Sequence, residues 1–251
     1  MKKLIRIGQI IFATGIIALG ILQFFAKDFI VGRPPAVGWA SGIPGKQAWA
    51  YVSGILLIVG GLSVILKRRS STAAFSLGIF IFIFSFLCRH LPHLFSVTSA
   101  QDAIWQINAY KTLALCGGAF IIAASFHDHS STMQINLSCI LLALFFIISG
   151  FAHFKFDDFI INGFIPAYIP FHAFWTYFCG IALIAGGVGI LLKQTRKWAA
   201  MLTGLMILLW FFLLHIPRAS YTPHDYGEWM GVCESFTFSG ILFTLAGLSA
   251  K

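Results

Sequence analysis

Charge is scarce in this sequence. Asp, Glu, Lys and Arg make up 10% of its 251 residues, against 59% hydrophobic residues and a mean hydropathy of +0.88. A soluble domain carries roughly 25% charged residues, so the chain lacks the polar surface to face water all round. That excludes a cytosolic enzyme and a DNA-binding domain. Acidic residues are rarer still, 8 against 17 basic ones. The net charge of +9 is nevertheless no nucleic-acid footprint, because it sits in short clusters between apolar runs. Cysteine pairs are missing too. Cys88, Cys116, Cys139, Cys179 and Cys233 stand singly, within or at the edge of apolar runs, and no C-x-x-C occurs. They read as small apolar packing groups, which argues against thiol–disulfide exchange, a chemistry that needs a pair.

Long apolar runs are what the sequence does have. A bilayer span needs about 20 apolar residues. Uncharged stretches lie at 7–26, 47–66, 70–88, 129–154, 159–192 and 198–217, with shorter ones at 112–127 and 235–250. The expectation is an all-α, polytopic membrane protein of eight transmembrane helices, with the lipid bilayer as partner and no nucleic acid. The start of the chain imitates a signal peptide, but its apolar run is long for that role and reads as a retained first helix. Charge sets the orientation. Lys2, Lys3, Arg6, Lys67, Arg68, Arg69, Lys193, Arg196, Lys197 and Lys251 fall on one side of the spans. The other side holds Lys27, Arg33, Lys46, Arg89, Lys155 and Arg218 together with six of the eight acidic residues. The basic side is expected to be the cytoplasm of a bacterial inner membrane, with both termini in it.

An internal repeat organises the chain. Residues 54–67, GILLIVGGLSVILK, align without a gap to 180–193, GIALIAGGVGILLK, with eight identities in fourteen. Backwards, Ile43, Pro44, Trp49 and Tyr51 pair with Ile169, Pro170, Trp175 and Tyr177. Forwards, with one residue lost, His90 meets His215 and Pro92 meets Pro217. Gly20, Gln23 and Asp28 meet Gly150, His153 and Asp158, while Lys111, Gly117 and Phe120 meet Glu234, Gly240 and Phe243. The spacing predicts two four-helix units, 1–126 and 133–251. An even number of spans in each makes them parallel-related, about an axis along the membrane normal. The prolines are expected at helix boundaries, with helix seven ending near Pro217 and Arg218 in the loop beyond.

At these residues the chain resembles the DoxX-like family of small bacterial membrane proteins. The resemblance lies in G-x-x-H-F (Gly150, His153, Phe154) and I-P-x4-W-x-Y (Ile169, Pro170, Trp175, Tyr177). It also lies in G-x5-GG (Gly180, Gly186, Gly187) and H-x-P (His215, Pro217). In the first half Gln23 stands where the motif histidine would be. The resemblance implies a duplicated four-helix unit in the membrane beside redox chemistry, since the family takes its name from a membrane subunit associated with thiosulfate:quinone oxidoreduction.

Six of the eight histidines gather at the side opposite the termini. They are His90, His93, His153, His172, His215 and His224, accompanied by Arg89, Arg218, Glu228 and Trp229. The other two, His127 and His129, fall in the connection between the units. Three readings compete for the rim. The first is an interfacial belt with Trp105, Trp175 and Trp229. The second is a cofactor pocket for a quinone or another lipid-soluble ligand, drawing on His153, His172, His215, His90, Trp175 and Arg218. The third is a haem or metal site, for which the His90 and His93 spacing is a weak signal. Lys111 and Glu234 form the sharper pair. Each ionisable group lies inside a fourth helix, where it costs about 2.5–3.5 kcal/mol on insertion scales. An ion pair between them, separate snorkelling to the surface and a proton relay are the three outcomes. The functional expectation is a non-catalytic membrane subunit or binding scaffold of a redox or envelope complex, with a protein partner. The rival is a quinone- or haem-interacting oxidoreductase component.

Overall fold

The computed structural model describes residues 2–29, 44–91, 100–127 and 131–249, and their side chains apart from Arg89 and residues 100–105. Ile43, Pro92, His93 and His129 lie outside the described residues, as do the side chains of Arg89 and Trp105. The apolar stretches become eight helices long and apolar enough to cross a membrane. Their α-helical parts are α1 Lys2–Ala26, α2 Lys46–Ile65, α3 Ser70–Phe80 and α4 Ala100–Ala124, then α5 Thr132–Lys155, α6 His172–Leu191, α7 Arg196–Trp210 and α8 Tyr226–Leu248, the third span reaching Cys88 and the seventh Tyr221. Among the described residues there is no strand. In lipid every backbone polar group must be satisfied within the chain, and apolar helices achieve this residue by residue. The protein is an all-helical, multi-pass membrane protein.

Local chemistry sets the helix ends. The Ser131 hydroxyl caps α5 by accepting from the amide of Gln134, and the Asp225 carboxylate caps α8 by accepting from that of Gly227 at 2.8 Å. Past α2, Lys67 takes a left-handed conformation (φ 56°), and the Arg68 amide donates back to the Ser63 carbonyl at 3.1 Å. This is the Schellman ending, with lysine in the place glycine usually fills.

The third and seventh spans depart from α geometry. After α3 the chain widens into a π-helix over Ile81–His90, and after α7 into a shorter one over Phe211–His215. The α7 segment then continues as Ile216–Tyr221. Pro217 therefore does not end the seventh span, and Arg218 sits on a helix rather than in a loop. The reason is local. A proline removes one amide and crowds the carbonyl four residues back. That carbonyl, Leu213, accepts instead from the Tyr168 hydroxyl, and the π-turn makes room for the ring.

Packing rests on small residues. α8 is the central helix, with all of Met230 to Gly247 buried except Phe236. α1 lies along α8, and α5 lies along α4. α2 packs on α1, α6 on α5, α3 on α4 and α7 on α8, and α4 touches α8. A Cβ added to Gly20 would meet the Gly54 carbonyl at 2.6 Å, and one on Gly150 would meet the Gly180 carbonyl at 2.6 Å. Likewise Gly61 lies against the Ala13 carbonyl and Gly187 against that of Ala143, each at 2.9 Å from the missing Cβ. The α1–α2 and α5–α6 seams are thus backbone against backbone, as lipid-embedded helices require where no hydrophobic driving force acts between them.

Two arginines, Arg6 half-buried and Arg196 buried, close the opposite ends of these seams. Arg6 of α1 donates to the carbonyls of Val64 and Ile65 at the end of α2. Arg196, at the start of α7, donates to those of Ile190 and Leu191 at the end of α6, and to Asn136 of α5. Each guanidinium satisfies carbonyls left over by a helix C-terminus and faces its negative pole. The cation comes from a different helix in the two cases.

Candidate functional site

The expected rim residues fall into distinct groups. Between α5 and α6 the chain folds into a short turn, α-helical over Asp157–Phe159 and π-helical over Ile160–Phe164. Three of the expected residues converge on it. The His172 Nδ1–H donates to the Ile161 carbonyl at 2.8 Å. Arg218 donates through one nitrogen to the carbonyls of Gly163 and Phe164, at 3.0 and 2.7 Å, and its guanidinium stacks 4.4 Å from the Phe164 ring. The His215 ring meets the same phenylalanine edge-on, with centroids 6.1 Å apart.

Arg218 also grips Glu228 in α8 with two parallel bonds of 3.0 and 2.6 Å. Bidentate charge-assisted bonds of this kind are strong and directional. The Arg218 fork is thereby engaged on both sides, tying the α5–α6 turn, the end of the seventh span and the start of α8 together. His215 is fitted between helices, since a Cβ on Gly231 of α8 would come within 3.0 Å of its Nδ1.

His153 makes contacts of its own. Its Nδ1–H donates to the Ser149 carbonyl at 2.8 Å, and its ring stacks on Trp210 with centroids 6.4 Å apart. Trp175 points elsewhere, exposed on α6 beside Phe174 and Phe178. His90 is buried at the end of the π-helix that follows α3. Of the six expected cofactor-binding residues, His172, His215 and Arg218 share contacts on the Asp157–Phe164 turn. The motif residues around them, Gly150, Gly180 and Gly187, are the α5–α6 seam itself. Tyr177 stacks on Phe154 and donates to Asp157 at 2.7 Å, and this hydrogen bond holds the Asp157 carboxyl below the usual carboxylate range.

At the bundle centre Lys111 Nζ lies 2.9 Å from Glu234 Oε2, with side chains 18% and 4% exposed. The pair joins α4 to α8. The second carboxylate oxygen, Oε1, is buried and has no hydrogen-bond partner among the described residues. Around the pair the hydroxyls of Thr112, Thr237 and Ser239 donate to carbonyls four residues back in their own helices, so they add no unsatisfied donor.

Sequence reasoning missed two clefts in the surface of the described residues. One, of about 430 Å³, is walled by Ala18, Ile21, Leu22 and Phe25 of α1 and by Tyr226, Trp229 and Cys233 of α8, with Pro223. None of the expected histidines lines it. The other, of about 490 Å³, lies at the end of α2 between Val59, Leu62 and Leu66 and the side chains of Arg68 and Arg69. Its only sequence signal is a basic triplet directly after an apolar run. All five cysteines are free. Among the described residues no group of three or more His, Cys, Asp or Glu side chains is placed to hold a metal ion.

A family model, "Domain of unknown function (DUF8561)", matches residues 142–224, about a third of the chain. The match runs from within α5 to the turn before α8. It takes in His153, His172, Trp175, His215 and Arg218, and leaves out His90, Lys111 and Glu234. No curated protein and no solved structure is significantly similar to the chain.

Proposed function

We propose that this is a DoxX-like protein of the bacterial inner membrane, with both termini cytoplasmic, built from two parallel-related four-helix halves. In this reading it is a non-catalytic membrane subunit or binding scaffold of a redox or envelope complex. The two-half reading draws support from matched contacts. Gly20 on Gly54 and Gly150 on Gly180 occupy aligned positions, as do Phe24 stacked on Tyr51 and Phe154 stacked on Tyr177. The first helix of each half lies against the fourth helix of the other. Reporter fusions after Ser70, Ser130 and Thr195 test the orientation, with a cytoplasmic signal expected at all three. A periplasmic signal at Ser130 overturns it.

The scaffold reading is carried by one observation: three of the expected rim side chains, Arg218, His172 and His153, are engaged by the fold itself. Arg218 binds Glu228 and two carbonyls, and His172 and His153 each donate to a backbone carbonyl. A rival reading has a quinone as ligand, and the α1–α8 cleft is the observation in its favour. Its volume of about 430 Å³ falls in the range of small-molecule sites, and its walls suit a lipid-soluble ring. Purification in mild detergent separates the two. A stoichiometric protein partner, with no quinone in the organic extract and no haem absorbance, supports the scaffold. Quinone retained by the isolated protein, and lost on Ala18→Phe, overturns it in favour of the rival.

A further inference from the structure

We infer that the cleft at the end of α2 is a binding site for an anionic phospholipid. Val59, Leu62 and Leu66 are exposed and recur every three or four residues, so they form one apolar stripe along α2. The stripe runs to the helix end, where Arg68 and Arg69 complete the cleft of about 490 Å³. An apolar track ending in two guanidinium groups has the pattern of a phospholipid: an acyl chain along the track and a phosphate at its head. Guanidinium suits this role because its planar fork bonds phosphate oxygens in pairs.

The local backbone aims these groups. Lys67 and Arg69 both have left-handed conformations, φ 56° and 47°, which L-residues rarely adopt. The connection is pinned by two bonds to one acceptor: the Ser63 carbonyl takes the Arg68 amide at 3.1 Å and the Ser70 hydroxyl at 3.0 Å. The arginines are also released from another duty. At the matching end of α6, Arg196 is buried and occupied in capping the helix. At the end of α2 that task falls to Arg6, reaching over from α1. Residues 67–69 keep their side chains exposed. An anionic headgroup is favoured over a zwitterionic one because only the former leaves net charge to offset two cations.

The inference rests on the membrane-spanning reading. The orientation proposed above sets only which leaflet supplies the lipid, so its failure would show in the reporter fusions and not here. The test is lipid titration of the full chain in detergent, read by native mass spectrometry with dioleoyl phosphatidylglycerol and dioleoyl phosphatidylcholine. The wild type is expected to retain phosphatidylglycerol in preference. Arg68→Gln with Arg69→Gln lowers that affinity about 30-fold, from two charges each of the size basic residues contribute at a membrane surface. Leu62→Ser with Leu66→Ser lowers it several-fold by removing the track, while Lys193→Gln with Lys197→Gln leaves it unchanged. Unaltered retention in the arginine variant overturns the site. So does an equal loss in the lysine variant, which marks plain charge attraction. Displacement of the lipid by equimolar inorganic phosphate also overturns it, because the track would then contribute nothing.

Discussion

Removing one partner of the Lys111–Glu234 pair is the sharpest perturbation available. The charges lie 2.9 Å apart, and the glutamate side chain is 4% exposed against 18% for the lysine. At an effective dielectric of about 20 the direct attraction is on the order of 6 kcal/mol, most of it set against the cost of taking both ions out of water. The net worth of the pair is therefore small, and the cost of breaking it is large. Lys111→Ala strands a carboxylate whose Oε1 already has no partner among the described residues, and is expected to cost about 3–5 kcal/mol. Glu234→Ala costs less, about 1–3 kcal/mol, because the more exposed ammonium can turn towards water. The double variant Lys111→Leu, Glu234→Leu recovers most of the loss, since packed apolar side chains often replace buried ion pairs without penalty. Thermal unfolding in detergent reads the effect, with Lys111→Ala falling by about 10 °C at roughly 2–4 °C per kcal/mol. Small single effects that add in the double variant would refute the reasoning.

Three further outcomes follow from the same geometry. Gly180→Ala places a Cβ 2.9 Å from that of His153 and 3.1 Å from the Gly150 carbonyl, and is expected to lower stability by about 1–3 kcal/mol; an unchanged melting temperature would mean the seam is looser than drawn. Phe171, ahead of α6, holds a left-handed φ of 58°, and Gly45 holds 66° ahead of α2. Phe171→Gly therefore relieves strain and raises stability by about 0.5–1 kcal/mol after the extra chain entropy is set against it, and destabilisation would show that the exposed ring is the stronger influence. The Tyr177 hydroxyl depresses the Asp157 carboxyl. Any stability from this bond is present above the ordinary carboxylate range and is lost as pH falls through the depressed value. The melting difference between wild type and Tyr177→Phe should hold from about pH 8 to 5 and shrink progressively as pH falls from about 4 through the depressed value, and a pH-independent difference would assign it to packing instead.

Much of this protein is decided by residues acting locally. Eight apolar stretches become eight helices because a lipid-exposed backbone has no other way to satisfy its amides and carbonyls. The long uncharged run 159–192 already carried its own break at Pro166 and Pro170, and α6 begins just beyond them. The glycines of the aligned segments were legible as places of close approach, since only small residues let helix backbones meet in lipid.

What the sequence left open depends on atoms far apart along the chain. Pro217 alone reads as a helix end; the span passes through it because Tyr168 reaches the carbonyl that the proline strands. Arg218 reads as a ligand-binding cation until Glu228, Gly163 and Phe164 are brought to it and engage its donors. Lys111 and Glu234 are compatible with pairing or with snorkelling in one dimension, and only the contact of α4 with α8 sets their separation at 2.9 Å. Apolarity is a sum over neighbours and can be read from the string. The partner of a buried charge is chosen by which helices touch, and that is a property of the folded chain alone.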